Sequence, residues 1–287
     1  MNETSDGVIH EILARCLVEP AFLERLQADP DVALADYPLG IRSRCEFKNT
    51  DLSRIQRFSG FIGKVQHNYL WDSFPATLLL LRHYGIELEV FAKYRTIQLS
   101  PEMRNRNQFE KIRRFLAFLD QFLVDHMQYP GLNCVLIQER ARWEVLQAVD
   151  KVKAIEGLSP ETLRTLEWAR FLRLRPVLNG PLRIDAFDCD PSDLTASVVN
   201  GSFTGHCGGE SRFFASWVDP RKRLLHTLQI DNLSALVLSC IDGTKRLSAV
   251  IASARQRGLT AAMPRTFRAF FESAASADLI QLLERAV

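Results

Sequence analysis

The stretch LQIDNLSALVLSCIDGTKRLSAVI, residues 228–251, decides the fold of the C-terminal half of the chain. Its pattern predicts the end of a strand, a helix, a tight stop at Asp242-Gly243 and a second helix. Gly243 can adopt the left-handed conformation that ends the first helix, and Thr244 can cap the next one. None of these residues has the arrangement of a nucleophile beside a base, so the stretch carries no signature of a catalyst.

The residues before this stretch alternate between apolar and polar side chains, as half-buried strands do. The segments FLRLRPVL and PLRIDAF each predict a strand, and RFFASWVDPRKRLLHTLQI predicts a hairpin around Asp219-Pro220, with the Gly-rich loop NGSFTGHCGGES ahead of it. Leu224, His226, Leu228 and Ile230 share one face of the second strand. The chain then predicts helices at about 233–241, 246–256 and 264–285, the last broken near Ser276.

The first half of the chain reads as helical. Pro20, Pro30 and Pro75 each stand where a helix can begin, and residues 86–97 fit both a strand and a helical face, of which the helix is favoured. The clearest helical pattern is NTDLSRIQRFSGFIGKVQHNYLWDSF. Its apolar residues recur at 3-4-3-4 spacing and predict a buried face: Ile55, Phe58, Ile62, Val65 and Tyr69.

Gly157 and Pro160 in the segment IEGLSPE, residues 155–161, favour a boundary between two domains. The expected limits are 1–156 for a helical domain that docks a partner and 157–287 for an α+β domain. The fold class is therefore α+β: an N-terminal helical bundle, then a small winged-helix-like domain of a β-hairpin and three helices.

Composition excludes several protein classes. The chain has 287 residues, is 47% hydrophobic and 24% charged, and carries a net charge of +2. No apolar run reaches the roughly 18 residues that a membrane span needs, and the acidic N-terminus MNETSDGVIHEIL does not have the form of a signal peptide. We therefore expect a cytoplasmic protein that binds no membrane, and its small net charge does not predict a nucleic-acid partner.

The cysteines and histidines predict no metal site. The six cysteines, at positions 16, 45, 134, 189, 207 and 240, form no CxxC pair, and we expect all of them to be thiols in a reducing cytoplasm. His206 and Cys207 adjoin in a loop without evident further ligands, and His126 follows Asp125 at the end of a helix. Both pairs have ordinary structural explanations.

No common catalytic motif occurs: the chain has no GxSxG, no GxxxxGK[ST], no GxGxxG and no HExxH. Glu87 and Glu89 fall in the first turn of a predicted helix, where carboxylates complement the helix dipole. The basic run RNRNQFEKIRR fits either a solvated helix face or a docking patch for an acidic peptide; its cations are Arg104, Arg106, Lys111, Arg113 and Arg114. The sequence thus predicts no catalytic residue, no metal and no cofactor in this chain.

The segment DNLSALVLSCIDGTKRLSAVI resembles the small peptide-chaperone domain of the pyrroloquinoline quinone pathway, which typifies the recognition elements for ribosomally made, modified peptides. The resemblance covers about residues 212–285. It implies that a leader peptide adds as a strand to the edge of the hairpin, along 212–218 or 224–230. The expected peptide-binding residues are Arg212, Phe214, Ser216, Arg223, Leu225, Thr227 and Gln229.

The segments LARCLVEPAFLERLQADPDVALADYPL and RIQRFSGFIGKVQHNYLWDSFPATLLLLRHYGIELEVFAKYRT resemble the helical partner proteins of multinuclear non-haem iron oxidative enzymes, as found in methanobactin and thiaglutamate biosynthesis. The shared pattern joins Asn68-Tyr69, Phe74-Pro75 and Tyr94, over about residues 10–125, and the length of the chain favours the thiaglutamate type. The resemblance implies a heterodimer with an enzyme subunit that holds the iron and modifies a precursor peptide. Trp71 and Phe74 are the expected interface anchors.

Two alternatives remain open. A winged-helix transcription regulator would read DNA with the helix in RLSAVIASARQRG, whose candidate side chains are Arg246, Arg255, Gln256 and Arg257. An independent enzyme with an unfamiliar site is the other.

Overall fold

The structure, a computed structural model, describes residues 3–98, 106–125, 129–206, 208–258 and 264–284. Contacts within the chain divide it into two compact units, Met1–Leu132 and Asn133–Val287. The helix that begins at Leu132 therefore groups with the second unit, whereas the expected domain boundary lies near residue 156. The expected limits 1–156 and 157–287 stay a prediction about domains.

In its described residues, the first unit is built from helices. Pro20, Pro30 and Pro75 stand at the first helical position, as predicted, because a proline there gives up no intrahelical hydrogen bond. The segment at 86–97 is helical, and Glu87 and Glu89 lie in its first turn. The helices are α1 (Glu3–Val18), α2 (Pro20–Ala28), α3 (Pro30–Ala33), α4 (Ile41–Lys48), α5 (Leu52–Gln66), α6 (Tyr69–Ser73), α7 (Pro75–His83), α8 (Glu87–Gln98) and α9 (Gln108–Asp125).

Helix α5 buries a different face from the one that the sequence predicted. Its buried residues are Leu52, Ser59, Gly60 and Gly63. A Cβ atom at Gly60 would collide with the carbonyl oxygen of Leu88 in α8, and one at Gly63 would lie 3.1 Å from the carbonyl oxygen of Phe91. The small residues thus let α5 and α8 approach closely backbone to backbone.

This packing corrects the predicted core of α5. Phe58 and Val65 are 52% and 60% exposed, and Ile55, Ile62 and Tyr69 are only half-buried. The prediction was wrong because 3-4 spacing identifies an apolar face without identifying what covers it. The core of the first unit lies elsewhere. It includes Ile12, Phe22 and Leu26 in the first two helices and stacked aromatic rings of α8 and α9, such as Phe91 and Phe115.

The second unit contains two small antiparallel sheets among its helices. Its helices are α10 (Leu132–Ala148, continued by a 3₁₀ turn at Val149–Lys151), α11 (Pro160–Thr165), α12 (Trp168–Phe171), α13 (Pro191–Val199), α14 (Asn232–Ser239), α15 (Leu247–Gln256) and α16 (Pro264–Ser276). Its strands are β1 (Arg175–Leu178), β2 (Leu182–Phe187), β3 (Arg212–Asp219), β4 (Leu224–Ile230) and β5 (Ile280–Leu283). The fold class is α+β, as predicted.

The larger sheet has the strand order β2-β3-β4. The predicted hairpin of β3 and β4 is confirmed, with Asp219 paired to Leu224 beside the turn. The Asp219 carboxylate accepts hydrogen bonds from the backbone N–H groups of Arg221 and Lys222. Burial alone would raise the pKa of Asp219, but these hydrogen bonds and the Lys222 ammonium outweigh burial and lower it.

The smaller sheet pairs β1 with β5, which corrects the prediction that the last helix runs to residue 285. Helix α16 ends at Ser276, and Asp278 adopts a positive φ of 55° before the chain becomes extended. The side-chain amide of Asn179 donates to the carbonyl oxygen of Asp278 and fixes this bend. The pairing partner lies about a hundred residues earlier in the chain, so local periodicity carried no information about it.

The connection between α14 and α15 confirms one local prediction and corrects another. Gly243 has a φ of +74°, the left-handed conformation expected of it. Thr244 does not cap α15, which begins at Leu247. Instead the Asp242 carboxylate accepts hydrogen bonds from the N–H groups of Thr244 and Lys245. The Lys245 side chain, together with these bonds, lowers the pKa of Asp242.

The larger sheet is covered on both faces. Ala215 and Trp217 belong to a core that also contains buried residues of α14, α15 and α16. On the opposite face, Val145 and Val149 pack against Val218 and Leu225. Helix α10 and its 3₁₀ extension therefore lie over one face of the hairpin, and the three C-terminal helices lie over the other.

Candidate functional site

Strand β3 is the centre of its sheet and cannot accept an added strand. It pairs with β2 on one side and with β4 on the other. Phe214 and Ser216 are buried as well, being 5% and 3% exposed. The structure therefore contradicts the expectation that residues 212–218 form a peptide-binding edge, and Phe214 and Ser216 are interior residues.

Strand β4 is an edge strand: among the described residues it pairs with β3 alone. Its sequence LLHTLQI contains no Lys, Arg, Asp, Glu or Pro. Leu224 and Leu228 are 53% and 57% exposed. Native proteins usually protect such an edge with charge, proline or a covering element. The β4 edge carries neither charge nor proline, and it is therefore the candidate edge for pairing with another chain.

The other edge strand, β2, is better protected. Arg183 forms ion pairs with Glu144 at 3.1 Å and with Asp185 at 3.5 Å. Arg183 and Asp185 lie on the strand itself, and their charges disfavour pairing with another strand. Partial burial raises the pKa of Asp185. The two edges therefore differ in chemistry, and β4 is the stronger candidate for an added strand.

The two faces of β4 offer different side chains. Leu224, His226 and Leu228 lie on the face of the C-terminal helices, and the His226 ring stacks on Trp217 with ring centroids 4.9 Å apart. The Trp217 Nε1 atom is buried and has no hydrogen-bond partner among the described residues. An extended peptide along β4 would thus meet two exposed leucines on either side of an aromatic pair.

The α10 face of β4 carries three of the predicted peptide-binding residues. Leu225 is half-buried against Val145 and Val149. Thr227 is exposed, and its hydroxyl lies 3.2 Å from the Ser216 hydroxyl. Gln229 is also exposed, so Thr227 and Gln229 are the members of this set that a ligand can reach.

Arg212 and Gln229, from neighbouring strands, line one shallow open cleft of about 390 Å³ where β4 leads into α14. Arg223 lies at the other end of the hairpin and forms an ion pair with Asp150. The structure therefore brings Arg212, Thr227 and Gln229 to the accessible β4 side of the sheet. The charge of Arg223 already has a partner in the protein.

In the first unit, the apolar residues that α5 exposes form a continuous stripe. Phe58, Phe61 and Val65 follow one another at 3- and 4-residue spacing, and the rings of Phe58 and Phe61 stack with centroids 6.5 Å apart. Arg54 and Arg57 adjoin them and are exposed. We call Phe58, Phe61 and Val65 the α5 seam. It is an exposed apolar surface with polar residues at one end, and such patches mark sites of interaction with other proteins.

The two expected interface anchors lie in different environments. Phe74 is fully buried, so its side chain is a core residue and is not available to a partner. Trp71 is half-buried, with the Lys64 ammonium 5.5 Å and the Arg82 guanidinium 4.6 Å from its ring centroid. Both cations also pair with Glu87. Because Lys64 belongs to α5, Trp71 is adjacent to the C-terminal end of that helix.

The other candidate residues from the sequence give no comparable site. Among the described residues, no three His, Cys, Asp or Glu side chains are placed to hold a metal ion. Arg104, His126 and Cys207 lie outside the described residues. Arg106, Arg113 and Arg114 line an open depression on α9, where Arg106 pairs with Glu110 at 3.3 Å. None of the helices in the described ranges is long and apolar enough to cross a membrane.

The side chains proposed for DNA reading lie at the two ends of α15. Arg246 precedes the helix, whereas Arg255, Gln256 and Arg257 lie at its C-terminal end, where Arg255 is 5.8 Å from the Phe267 ring centroid. Between these ends, the helix exposes the small residues Ser248, Ala249 and Ala252. These side chains cannot form the bidentate base contacts that a recognition helix uses.

No protein-family model matches this chain, and no curated protein is similar to it. The relationship to peptide-recognition and iron-enzyme partner families therefore stays a prediction from the sequence.

Proposed function

We propose that this chain is the non-catalytic subunit of an oxidative peptide-modifying complex. It binds the leader of a ribosomally made precursor peptide and presents the peptide to a separate iron-dependent enzyme, which modifies a cysteine of that peptide. The observation that carries the proposal is the exposed, uncharged edge strand β4, in a sheet of three strands that three helices follow in the chain. This role fits the cytoplasm, where ribosomal precursors are made.

The leader would bind as a fourth strand beside β4. Pairing of backbone groups supplies affinity that depends little on sequence, and side-chain contacts supply selection. Leu224 and Leu228 present apolar surface on one face of the strand, while Thr227 and Gln229 present hydrogen-bonding groups on the other. We therefore expect a leader segment in which apolar residues alternate with polar ones.

The α5 seam is the proposed docking surface for the iron-dependent subunit. Exposed aromatic residues beside cations are typical anchors of protein interfaces. Arg57 lies at one end of the seam, beside Arg54, which already pairs with Asp51 at 3.7 Å. The positive charge of Arg57 favours a heterologous partner with acidic residues over a second copy of the same surface. The seam, with Trp71 beside it, replaces the pair Trp71 and Phe74 as the surface to test.

The peptide test uses adjacent prolines on β4. Successive N–H groups along a strand point to opposite sides, so one of Thr227→Pro and Leu228→Pro blocks the outer edge and the other disrupts the pairing with β3. A labelled candidate precursor peptide is titrated against wild-type protein and both variants. We expect the variant that keeps the wild-type circular dichroism and unfolding curve to bind about tenfold more weakly or worse.

Arg223→Glu is the matched charge control. An exposed ion pair contributes about 0–1 kcal/mol, and Arg223 already pairs with Asp150, so this variant should bind peptide nearly as well as wild type. Undiminished affinity in the folded proline variant would remove β4 as the docking edge. A salt-sensitive shift of labelled duplex DNA by the wild-type protein would instead favour the regulator.

A further inference from the structure

Two cysteines of the second unit are close enough to react with each other. The Sγ atoms of Cys134 and Cys189 lie 3.0 Å apart, although 55 positions separate the residues in the sequence. No disulfide bond joins the two residues, and both are only half-buried. Of the other described cysteines, Cys16 and Cys240 are buried and Cys45 is exposed. The pair thus combines proximity with access for a small reagent.

The two cysteines belong to different elements of the second unit. Cys134 lies in the first turn of α10. Cys189 follows β2 and directly precedes Asp190, whose carboxylate caps α13. Helix α10 also contacts the sheet without a covalent bond, through Val145 against the hairpin and through the ion pair of Glu144 with Arg183. A bond between the thiols would therefore join α10 to the connection between β2 and α13.

We propose that Cys134 and Cys189 form an oxidation site that closes reversibly to a disulfide in the presence of a low-molecular-weight disulfide. The thiolate of one cysteine attacks glutathione disulfide, breaks its S–S bond and releases one glutathione thiolate. The thiolate of the second cysteine then attacks the protein-bound sulfur and releases the second glutathione. The protein loses two electrons and its two thiol protons, while glutathione disulfide is reduced to two glutathione thiols.

The cross-link closes a loop of about 55 residues, and such a constraint stabilises mainly by restricting the unfolded chain. The chain-entropy model and the size of the unit predict a rise in its melting temperature of about 5–15 °C. The proposal does not depend on peptide binding, because it concerns only the reactivity of two thiols in this chain.

The test treats the whole chain carrying Cys45→Ser with excess glutathione disulfide. We expect a loss of two thiols, a mass decrease of two hydrogen atoms, a peptide map that joins Cys134 to Cys189, and full reversal by dithiothreitol. Differential scanning calorimetry should show the rise in melting temperature in this protein. It should show none after Cys134→Ser or Cys189→Ser is added, and those variants should instead retain one glutathione on the remaining cysteine.

Three results would overturn the proposal. They are unchanged thiols at both cysteines after prolonged treatment, stable glutathione adducts on Cys134 or Cys189 when both are present, and a disulfide that joins either cysteine to Cys207. Calorimetry of each reduced variant shows whether serine itself disturbs the fold, so that a misfolded variant is not mistaken for an unreactive one.

Discussion

Helices α5 and α16 are both amphipathic, yet their apolar faces have opposite environments. In α16, Phe267, Phe271 and Ala274 are buried in the core of the second unit. In α5, Phe58, Phe61 and Val65 are exposed, and the buried face contains Ser59, Gly60 and Gly63. An amphipathic pattern therefore identifies an apolar face, but not whether the protein's own core covers that face. A run of small residues on the opposite face indicates that a neighbouring helix packs there instead.

The largest effect should come from removing a core ring of α16. Phe271 is fully buried in the core, and its ring meets the ring of Phe270 edge-on, with centroids 5.1 Å apart. We expect Phe271→Ala to lower the free energy of unfolding by about 3–5 kcal/mol. Phe58→Ala in α5 should change it by less than about 0.5 kcal/mol. Urea titrations of both variants check the contrast, and equal losses would show that the α5 seam is core.

The second prediction concerns the small-residue face of α5. A methyl group at Gly60 meets the backbone of α8, which cannot move aside as a flexible side chain can. We expect Gly60→Ala to cost about 3 kcal/mol. Gly7→Ala in α1 is the control, since nothing lies within 4 Å of its added Cβ, and alanine there should stabilise the helix by up to about 1 kcal/mol. Thermal unfolding measures both, and a stable Gly60→Ala protein would contradict the close packing of α5 on α8.

Local features of this fold were predictable from the sequence. Pro20, Pro30 and Pro75 begin helices because proline fits the first helical position, and Gly243 takes the left-handed conformation that a tight stop needs. The hairpin of β3 and β4 was also predictable, because the alternation of apolar and polar residues and the turn at Asp219 lie within one short segment.

Features that depend on distant partners were not predictable. Strand β5 looked like the continuation of a helix, since its partner β1 lies far earlier in the chain. The central position of β3 depends on pairing with β2, which removed Phe214 and Ser216 from the candidate site. Within the sequence of α5, Gly60 and Gly63 were the one feature that could have indicated which face of the helix is buried.

The third prediction uses pH to test whether the end of α5 is buried. Burial, helped by the charges of Lys111 and Arg95, lowers the pKa of His67 to about 4. The unfolded chain has a pKa near 6.5 and binds the proton first, so stability is lost as pH falls from about 6.5 towards 4. We expect the first unit to lose about 2 kcal/mol between pH 7 and pH 5 from this residue.

His67→Gln isolates this contribution, because the other titrating groups are common to both proteins. Chemical unfolding at pH 7 and pH 5 should show the loss in wild type and a much flatter dependence in the variant. The His67 side chain also lies 3.2 Å from the Tyr69 hydroxyl, so the variant has a lower baseline stability, and only the slope with pH is diagnostic. Equal slopes in the two proteins would mean that His67 is solvated and that this end of α5 is open.

The smallest expected effect on stability comes from the seam itself. The double variant Phe58→Ser, Phe61→Ser removes two stacked, half-exposed rings that lie outside the core. We expect its free energy of unfolding to change by less than about 1 kcal/mol, because few apolar contacts within the chain are lost.

If the seam docks the iron-dependent subunit, the same change removes two interface anchors, and truncation of each anchor typically costs about 2 kcal/mol or more of binding energy. Co-expression with a candidate iron-dependent subunit, followed by pull-down and iron analysis, separates the two effects. Ile41→Ser is the matched control, since Ile41 is an exposed apolar residue at the start of α4 and is not part of the seam. Retention of the complex by the folded double variant would assign the docking surface elsewhere, whereas loss of the complex with unchanged stability would show that α5 keeps its apolar face for a partner.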